Sequence, residues 1–128
     1  GVARGLAASP GRATGKIGLT SAQVRAFVAA GEPAVLIRND TSPEDVPGIE
    51  AAGAVVTSTG GLTGDAAIVA RALGKPCIAG CRGLHVDYVA GEVRIAPDWH
   101  ADPPGEALVL RVGDVVTVDG TAGTLSAG

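Results

Sequence analysis

Aromatic side chains are almost absent from this sequence: its 128 residues contain one Phe, one Tyr and one Trp. The core must therefore be packed from Val, Ile, Leu and Ala, and a chain of this length can close one such core without disulfides. Recognition of bases or sugars by stacking has few side chains to use. We expect a single domain that spans residues 1–128.

The sequence also lacks any cluster of Lys or Arg. Its 10 basic residues are outnumbered by 13 acidic ones, and the net charge is −3. A nucleic-acid or anionic membrane surface calls for a concentrated basic patch, so we expect neither partner. No apolar run reaches the roughly 18 residues needed to cross a bilayer, and the first residues lack the basic-then-apolar order of a signal peptide. We therefore expect a cytoplasmic protein.

Cysteine and histidine are too few and too scattered to predict a disulfide or a metal centre. Cys77 and Cys81 would lie about 13 Å apart at Cα in an extended segment, far beyond disulfide reach. Together with His85 and His100 they make four possible zinc ligands, but no pair has a recognisable ligand spacing. We expect reduced thiols, with Cys77 packed like a small apolar residue, and structural or exposed histidines.

The first two thirds of the chain alternate between strand-like and helical patterns. Residues 5–15, rich in Gly, Ala, Ser and Pro, predict an irregular segment ahead of a first strand at 16–19. A cap at Thr20 or Ser21 predicts a helix that ends at Gly31. The remaining elements predicted here are a strand at 33–37, a helix near 49–52, a strand at 54–57 and a helix at 65–73. This alternation is typical of βαβ units around a parallel sheet.

The last third changes to a hairpin pattern, in which short strand-like runs flank turns that contain glycine. The predicted hairpins pair 86–89 with 92–95 and 115–118 with 123–125. Between them, the polar and proline-containing residues 97–105 predict a surface loop. The predicted fold class is α/β, with a mostly parallel central sheet, flanking helices and a β-hairpin layer.

The run from Gly60 to Arg71 holds the candidate functional residues. Two adjacent glycines let the backbone approach a ligand closely. The helix that follows offers unpaired N–H groups and the positive end of its dipole, which together favour an anion. Thr63 bonds such an anion, bonds the residue at 65, or caps the helix. Arg71 meets a phosphate, is solvated, or is paired within the fold. The candidate site consists of Gly60, Gly61, Thr63, Gly64, Asp65 and Arg71.

Four segments, taken in order and spacing, resemble the mobile, or phosphohistidine, domain of phosphoenolpyruvate-utilising enzymes, and are most similar to that of the pyruvate phosphate dikinases. The segments are residues 5–15 (GLAASPGRATG), 36–45 (LIRNDTSPED), 60–77 (GGLTGDAAIVARALGKPC) and 113–123 (GDVVTVDGTAG). The resemblance implies a swivelling β/β/α domain that moves between a nucleotide-binding domain and a phosphoenolpyruvate-binding domain, carrying phosphate on a histidine.

The resemblance also implies where cofactors belong. Mg, ATP and phosphoenolpyruvate would be bound by the partner domains, in the same or an associated protein, and the mobile domain itself would need no cofactor and no metal. Methionine is absent from the whole sequence, even at position 1. This absence indicates either a processed chain or a piece of a longer protein. Because the family places this domain between larger catalytic domains, we expect a piece.

The sequence departs from the family motif at its reactive position. The family loop reads Gly-Gly-Met-Thr-Ser-His-Ala-Ala, and the histidine accepts the phosphoryl group. Here Gly64 stands at the serine, Asp65 at the histidine, and Thr59 at a frequent arginine. An aspartate can be phosphorylated only as an acyl phosphate, which usually needs a metal ion and further carboxylates. Glu44 and Asp45 are the only acidic pair in a loop that could approach.

Three functional hypotheses follow from this departure. In the first, which is our prediction, the domain no longer carries phosphate and serves as a scaffold or regulatory module. Asp65 then stabilises its own helix by capping and by interaction with the dipole. In the second, Asp65 is phosphorylated with the help of a metal. In the third, the loop at Gly60 and Gly61 binds an anion or a nucleotide without chemistry.

Overall fold

The computed structural model describes residues 2–96 and 107–128, and it combines β-strands with three α-helices. In chain order the elements are β1 (Val2–Arg4), β2 (Leu6–Ser9), β3 (Arg12–Gly18), α1 (Ser21–Ala29), β4 (Ala34–Arg38), a 3-10 turn (Pro43–Asp45), α2 (Val46–Ala51), β5 (Ala54–Thr57), α3 (Asp65–Leu73), β6 (Cys77–Ala79), β7 (Leu84–Asp87), β8 (Glu92–Ile95), β9 (Leu108–Arg111), β10 (Val115–Asp119) and β11 (Thr124–Ala127). None of the helices in these two stretches is long and apolar enough to cross a membrane.

Eight strands form one mixed sheet in the order β1-β11-β10-β3-β4-β5-β6-β2. Its middle is parallel, because β3, β4, β5 and β6 all run in the same direction. Antiparallel strands extend it on both sides, with β10 paired to β3 and β2 paired to β6. The predicted α/β class is confirmed. The parallel strands form the centre of a mixed sheet.

Both predicted hairpins are present, as β7–β8 and β10–β11. The first belongs to a separate layer, since it forms a three-stranded antiparallel sheet with β9. The second joins the large sheet, because β10 pairs with β3 along its whole length. The predicted loop at 97–105, which includes His100, lies outside the described residues.

The large sheet curls until its two edges meet at Gly5. β1 lies at one edge and β2 at the other, yet only Gly5 separates them in the chain. A Cβ on Gly5 would lie 2.6 Å from Cys81 Sγ and 2.7 Å from Ala79 O, so this crossing accepts only glycine. The prediction of irregular structure over residues 5–15 was wrong, because these small residues form β2 and the start of β3. Long-range pairing, which the local composition does not reveal, orders them.

Each face of the large sheet has its own apolar core. One cluster joins the large sheet to the β7–β8–β9 layer, and the other joins it to the three helices. Their members are mainly Val, Ile, Leu and Ala, as the shortage of aromatics predicted, and Phe27 lies only at the margin of the helical cluster. A fully buried aliphatic side chain contributes roughly 1.5–3 kcal/mol. Packing of these layers therefore positions α3 against the sheet.

Local signals set the bounds of the helices near the candidate loop. Thr20 caps α1, as predicted. β5 and α3 have the predicted bounds. Gly74 ends α3 in the left-handed conformation, at φ +68°, and Pro76 follows. A helix of nine residues is thereby placed directly behind the glycine loop.

Candidate functional site

The candidate loop leaves β5 at the carboxyl edge of the parallel strands, the edge at which α/β sheets bind ligands. The ends of the two neighbouring strands hold its first residue. Thr59 N and Thr59 Oγ1 donate to Asn39 O, which follows β4, at 2.9 and 2.7 Å. Gly80 N, which follows β6, donates to Thr59 O at 3.2 Å. Asn39 is a residue that the sequence analysis missed, and its place directly after a buried strand was the available signal.

Beyond Thr59 the loop exposes bare backbone. Gly60 has φ +86°, a conformation that favours glycine. A Cβ on Gly60 or Gly61 would meet nothing within 4 Å, so this side of the loop faces open space. Gly64 N donates to Gly61 O at 3.1 Å and closes the turn before α3. The geometry leaves room for a ligand to contact the main chain.

Neither Thr63 nor Asp65 caps α3. The N-cap is Gly64, with φ −69° and ψ 162°, and as a glycine it has no side chain that could bond the first turn. Asp65 is the first helical residue, and its exposed side chain lies at the positive end of the helix dipole. The predicted capping by Thr63 or Asp65 was wrong, because the capping side chain belongs to the residue before the first helical one and that residue is a glycine. The dipole interaction of Asp65 is the part of that prediction which fits this geometry.

Arg71 is hydrogen-bonded to backbone carbonyl groups of the loop and of β2. Its Nη2 donates to Leu62 O at 2.6 Å, and its Nη1 donates to Ala8 O in β2 at 3.0 Å. Hydrogen bonds from a charged donor are about twice as strong as neutral ones. Of the roles considered for Arg71, the structure shows the paired one: this side chain ties the glycine loop to the edge strand β2.

Asp65 also lines a cleft of about 280 Å³ between α3, α2 and the segment before α2. The other lining residues are Thr41, Ser42, Pro43, Val46, Ile49, Ile68 and Val69. The walls are mostly aliphatic, with the Asp65 carboxylate as their only formal charge. The sequence analysis missed this cleft, because it arises from the packing of two helices that are separated by β5.

The acidic pair at 44–45 is not aimed at Asp65. Asp45 is buried, its Oδ2 lies 3.4 Å from Arg38 Nε, and the same oxygen accepts from Ser42 N at 2.8 Å. Glu44 is exposed on the same turn. Across the part of the chain that the structure describes, no three His, Cys, Asp or Glu residues are grouped so as to hold a metal ion. Asp65 therefore has no carboxylate partners assembled around it within these residues.

Both cysteines are free thiols in the core, and the predicted packing of Cys77 is confirmed. Burial raises the pKa of Cys77 to about 11, although the positive charge of Arg71 lowers it in part. Burial, followed by the neighbouring Cys77, raises the pKa of Cys81 to about 12. A nucleophilic cysteine requires a thiolate, so neither residue is a candidate nucleophile at neutral pH.

Comparison with known protein families shows which family the chain belongs to. The sequence model described as "PEP-utilising enzyme, mobile domain" matches residues 30–123. The chain belongs to this family of mobile domains. The predicted resemblance is thereby confirmed.

Several curated relatives are pyruvate, phosphate dikinases. The chain is 40% identical over 127 residues to that of Rhizobium meliloti (strain 1021), which covers 99% of this chain and 13% of the relative. It is 39% identical over 127 residues to pyruvate, phosphate dikinase 2 of Oryza sativa subsp. japonica, again over 99% of this chain and 13% of the relative. The chain thus spans about 13% of the length of these relatives. A solved structure of Enzyme I (nEIt) has 24% identity and a TM-score of 0.47, covering 75% of this chain and 31% of that one.

Proposed function

We propose that this domain takes the place of the phospho-carrier in a pyruvate phosphate dikinase-like protein without carrying phosphate itself, and that it acts as a scaffold or regulatory module. The observation that carries the proposal is the first helical position of α3, which holds Asp65 where the family loop has its histidine. The loop keeps the glycines and the helix that a phosphorylated side chain would need. What it lacks is the acceptor nitrogen.

The surroundings of Asp65 support loss of transfer. An acyl phosphate on this carboxylate would place two negative groups together, and cations would have to offset them. Arg71 donates to two carbonyl oxygens instead. Asp45 is paired with Arg38, and Thr59 stands where the family often has an arginine. Phosphorylation of Asp65 with a metal, the alternative function, would need a cation site, and residues 2–96 and 107–128 contain no group of three His, Cys, Asp or Glu residues that could hold one.

The wider protein is also part of the proposal. Because the chain spans about 13% of its curated relatives, we place it as one domain, residues 1–128, of a longer protein. Its partners are then a nucleotide-binding domain and a phosphoenolpyruvate-binding domain, in the same or an associated chain. Mg, ATP and phosphoenolpyruvate belong to those domains, and the cytoplasmic location stays a prediction.

The test is phosphorylation of the native domain by partner domains from a related dikinase, supplied with labelled phosphoenolpyruvate or ATP. Intact mass spectrometry should find no adduct on the native protein. Asp65→Ala is the matched control, because it removes the carboxylate that could accept phosphate. A stoichiometric phosphoryl adduct on the native chain that disappears in Asp65→Ala would establish transfer through Asp65 and overturn the proposal.

A further inference from the structure

A second cleft lies beside the glycine loop, and Asp65 is not among its lining residues. It measures about 340 Å³ and is lined by Arg4, Gly5, Leu6, Gly60, Gly80 and Arg82. The curl of the sheet creates it, because the chain between β1 and β2 passes the carboxyl ends of β5 and β6 at this point. Residues distant in sequence, near positions 5, 60 and 80, therefore meet around one opening.

Two arginines give this cleft its charge. Arg4 and Arg82 are both exposed, and neither takes part in the ion pairs formed within residues 2–96 and 107–128. This concentration of positive charge contrasts with the net charge of −3 for the whole sequence. Guanidinium groups are planar forks that match phosphate and carboxylate oxygens, and they bind phosphate better than isolated lysines do where two-point recognition matters.

Of the glycines that line the cleft, Gly60 leaves open space. Nothing lies within 4 Å of the place where Gly60 would carry a Cβ. At Gly80 the corresponding space is filled, because a Cβ there would lie 3.0 Å from Gly60 O, and the Gly80 N–H is bonded to Thr59 O at 3.2 Å. The volume lies near the lower end of the roughly 300–1,000 Å³ typical of small-molecule clefts. The size suits a small molecule better than a helix or strand of a partner.

We propose that the Arg4–Arg82 cleft binds a small molecule through a phosphate group, free or esterified. The two guanidinium groups contact the phosphate oxygens, and the open space at Gly60 lets the phosphate approach the main chain. This site is distinct from the start of α3, where the Asp65 carboxylate repels an anion and Arg71 is already bonded to backbone oxygens. It does not depend on whether position 65 accepts a phosphoryl group.

The experiment is a titration of the whole ¹⁵N-labelled chain with inorganic phosphate, and separately with glycerol 3-phosphate, against chloride at matched ionic strength. We expect the amide signals of Gly60, Gly80 and Arg82 to shift and saturate, with half-saturation at about 1–10 mM for the better ligand. Arg4→Gln and Arg82→Gln should each weaken binding by about tenfold, since each removes one charged contact. Arg25→Gln, an exposed arginine of α1 outside the cleft, should bind like the native chain.

Asp65→Asn separates this site from the helix start. If phosphate binds in the cleft, this change should leave the shifts at Gly80 and Arg82 in place. The proposal is overturned if neither ligand saturates, or if Arg4→Gln and Arg82→Gln bind as tightly as Arg25→Gln does. It is equally overturned if Asp65→Asn tightens binding and the shifts concentrate at residues 66–68, because the anion would then lie at α3.

Discussion

The two nine-residue helices, α1 and α3, begin in different ways. At α1, Thr20 Oγ1 accepts from Gln23 N at 3.1 Å, and Gln23 Oε1 accepts from Leu19 N at 2.8 Å. The chain is thus bonded by side chains on both sides of the helix start. At α3 the N-cap position is occupied by Gly64, which has no side chain. The acidic residue in the first turn of α3 is Asp65, whose charge interacts with the helix dipole.

The first turn of α1 is stabilised by a side-chain cap, whereas the first turn of α3 leaves its N–H groups accessible to solvent or a ligand. A capped first turn has its N–H groups bonded internally, whereas an uncapped one leaves them for solvent or a ligand. At α3 the anchoring is moved away from the first turn, because Arg71 reaches back to Leu62 O and Ala8 O from the last turn. The loop is therefore fixed without blocking the helix start.

The largest effect expected from breaking this arrangement is that of Arg71→Ala. Loss of two charge-assisted hydrogen bonds from a partly exposed side chain should lower the free energy of unfolding by about 1–3 kcal/mol. Urea unfolding measures the loss, and amide exchange should quicken at residues 60–64. Arg71→Lys keeps the positive charge but loses the planar guanidinium group that donates to both carbonyl oxygens. Its stability should therefore lie between those of Arg71→Ala and the native chain. If Arg71→Ala unfolds like Arg25→Ala, the anchoring role is wrong.

At α1, Thr20→Ala should lower the free energy of unfolding by about 1 kcal/mol, because the first turn loses its cap. Thr20→Ser keeps an acceptor oxygen and should unfold close to the native midpoint. Equal midpoints for the Ala and Ser variants would mean that the cap contributes nothing and that the contrast between the two helices is not energetic.

At α3, Asp65→Ala should have the smallest effect, a loss of about 0.3–1 kcal/mol that diminishes in high salt, because only the dipole interaction is removed. Asp65→Asn should lower the free energy of unfolding by the same amount, because Asn carries no charge and the first helical position is not the N-cap. The comparison of these two variants in the same urea series is the check. Native-like stability of Asp65→Asn alone would indicate that this side chain caps the helix in solution.

Sequence patterns predicted the candidate region well where the determinants are local. The apolar run at 54–57, the paired glycines and the Gly74–Pro76 stop lie within a few residues of the elements they define, so β5 and α3 have the predicted bounds. The four family-like segments led to the correct family, since they are linear motifs.

Two features that the sequence did not decide depend on contacts between distant residues. Gly5 is a strand crossing only because β1 and β2 pair with opposite edges of a curled sheet. Arg71 meets Ala8 O, from a residue 63 positions away. The prediction that Asp65 caps α3 was wrong for a different reason. Whether a side chain caps a helix depends on its being the residue just before the first helical one, and sequence signals do not place a helix start to within one residue.

Restoring the family residues tests directly whether position 65 is what separates this loop from a phosphate carrier. Gly64 has an extended backbone open to any residue, and its Cβ would lie 3.3 Å from Gly61 O, so serine requires only a small adjustment. Gly64→Ser with Asp65→His rebuilds the motif. Adding Thr59→Arg supplies a cation, at the loss of the hydrogen bond from Thr59 Oγ1 to Asn39 O.

The decisive measurement is the intact mass of the native chain and of these folded variants after the same incubation with a dikinase phosphoenolpyruvate-binding domain and phosphoenolpyruvate. The account predicts no adduct on the native chain, one phosphoryl group on the double variant, and more complete modification of the triple variant. An equal adduct on the native chain would contradict the loss of the acceptor. No adduct on either variant would contradict the claim that the rest of the loop is still competent.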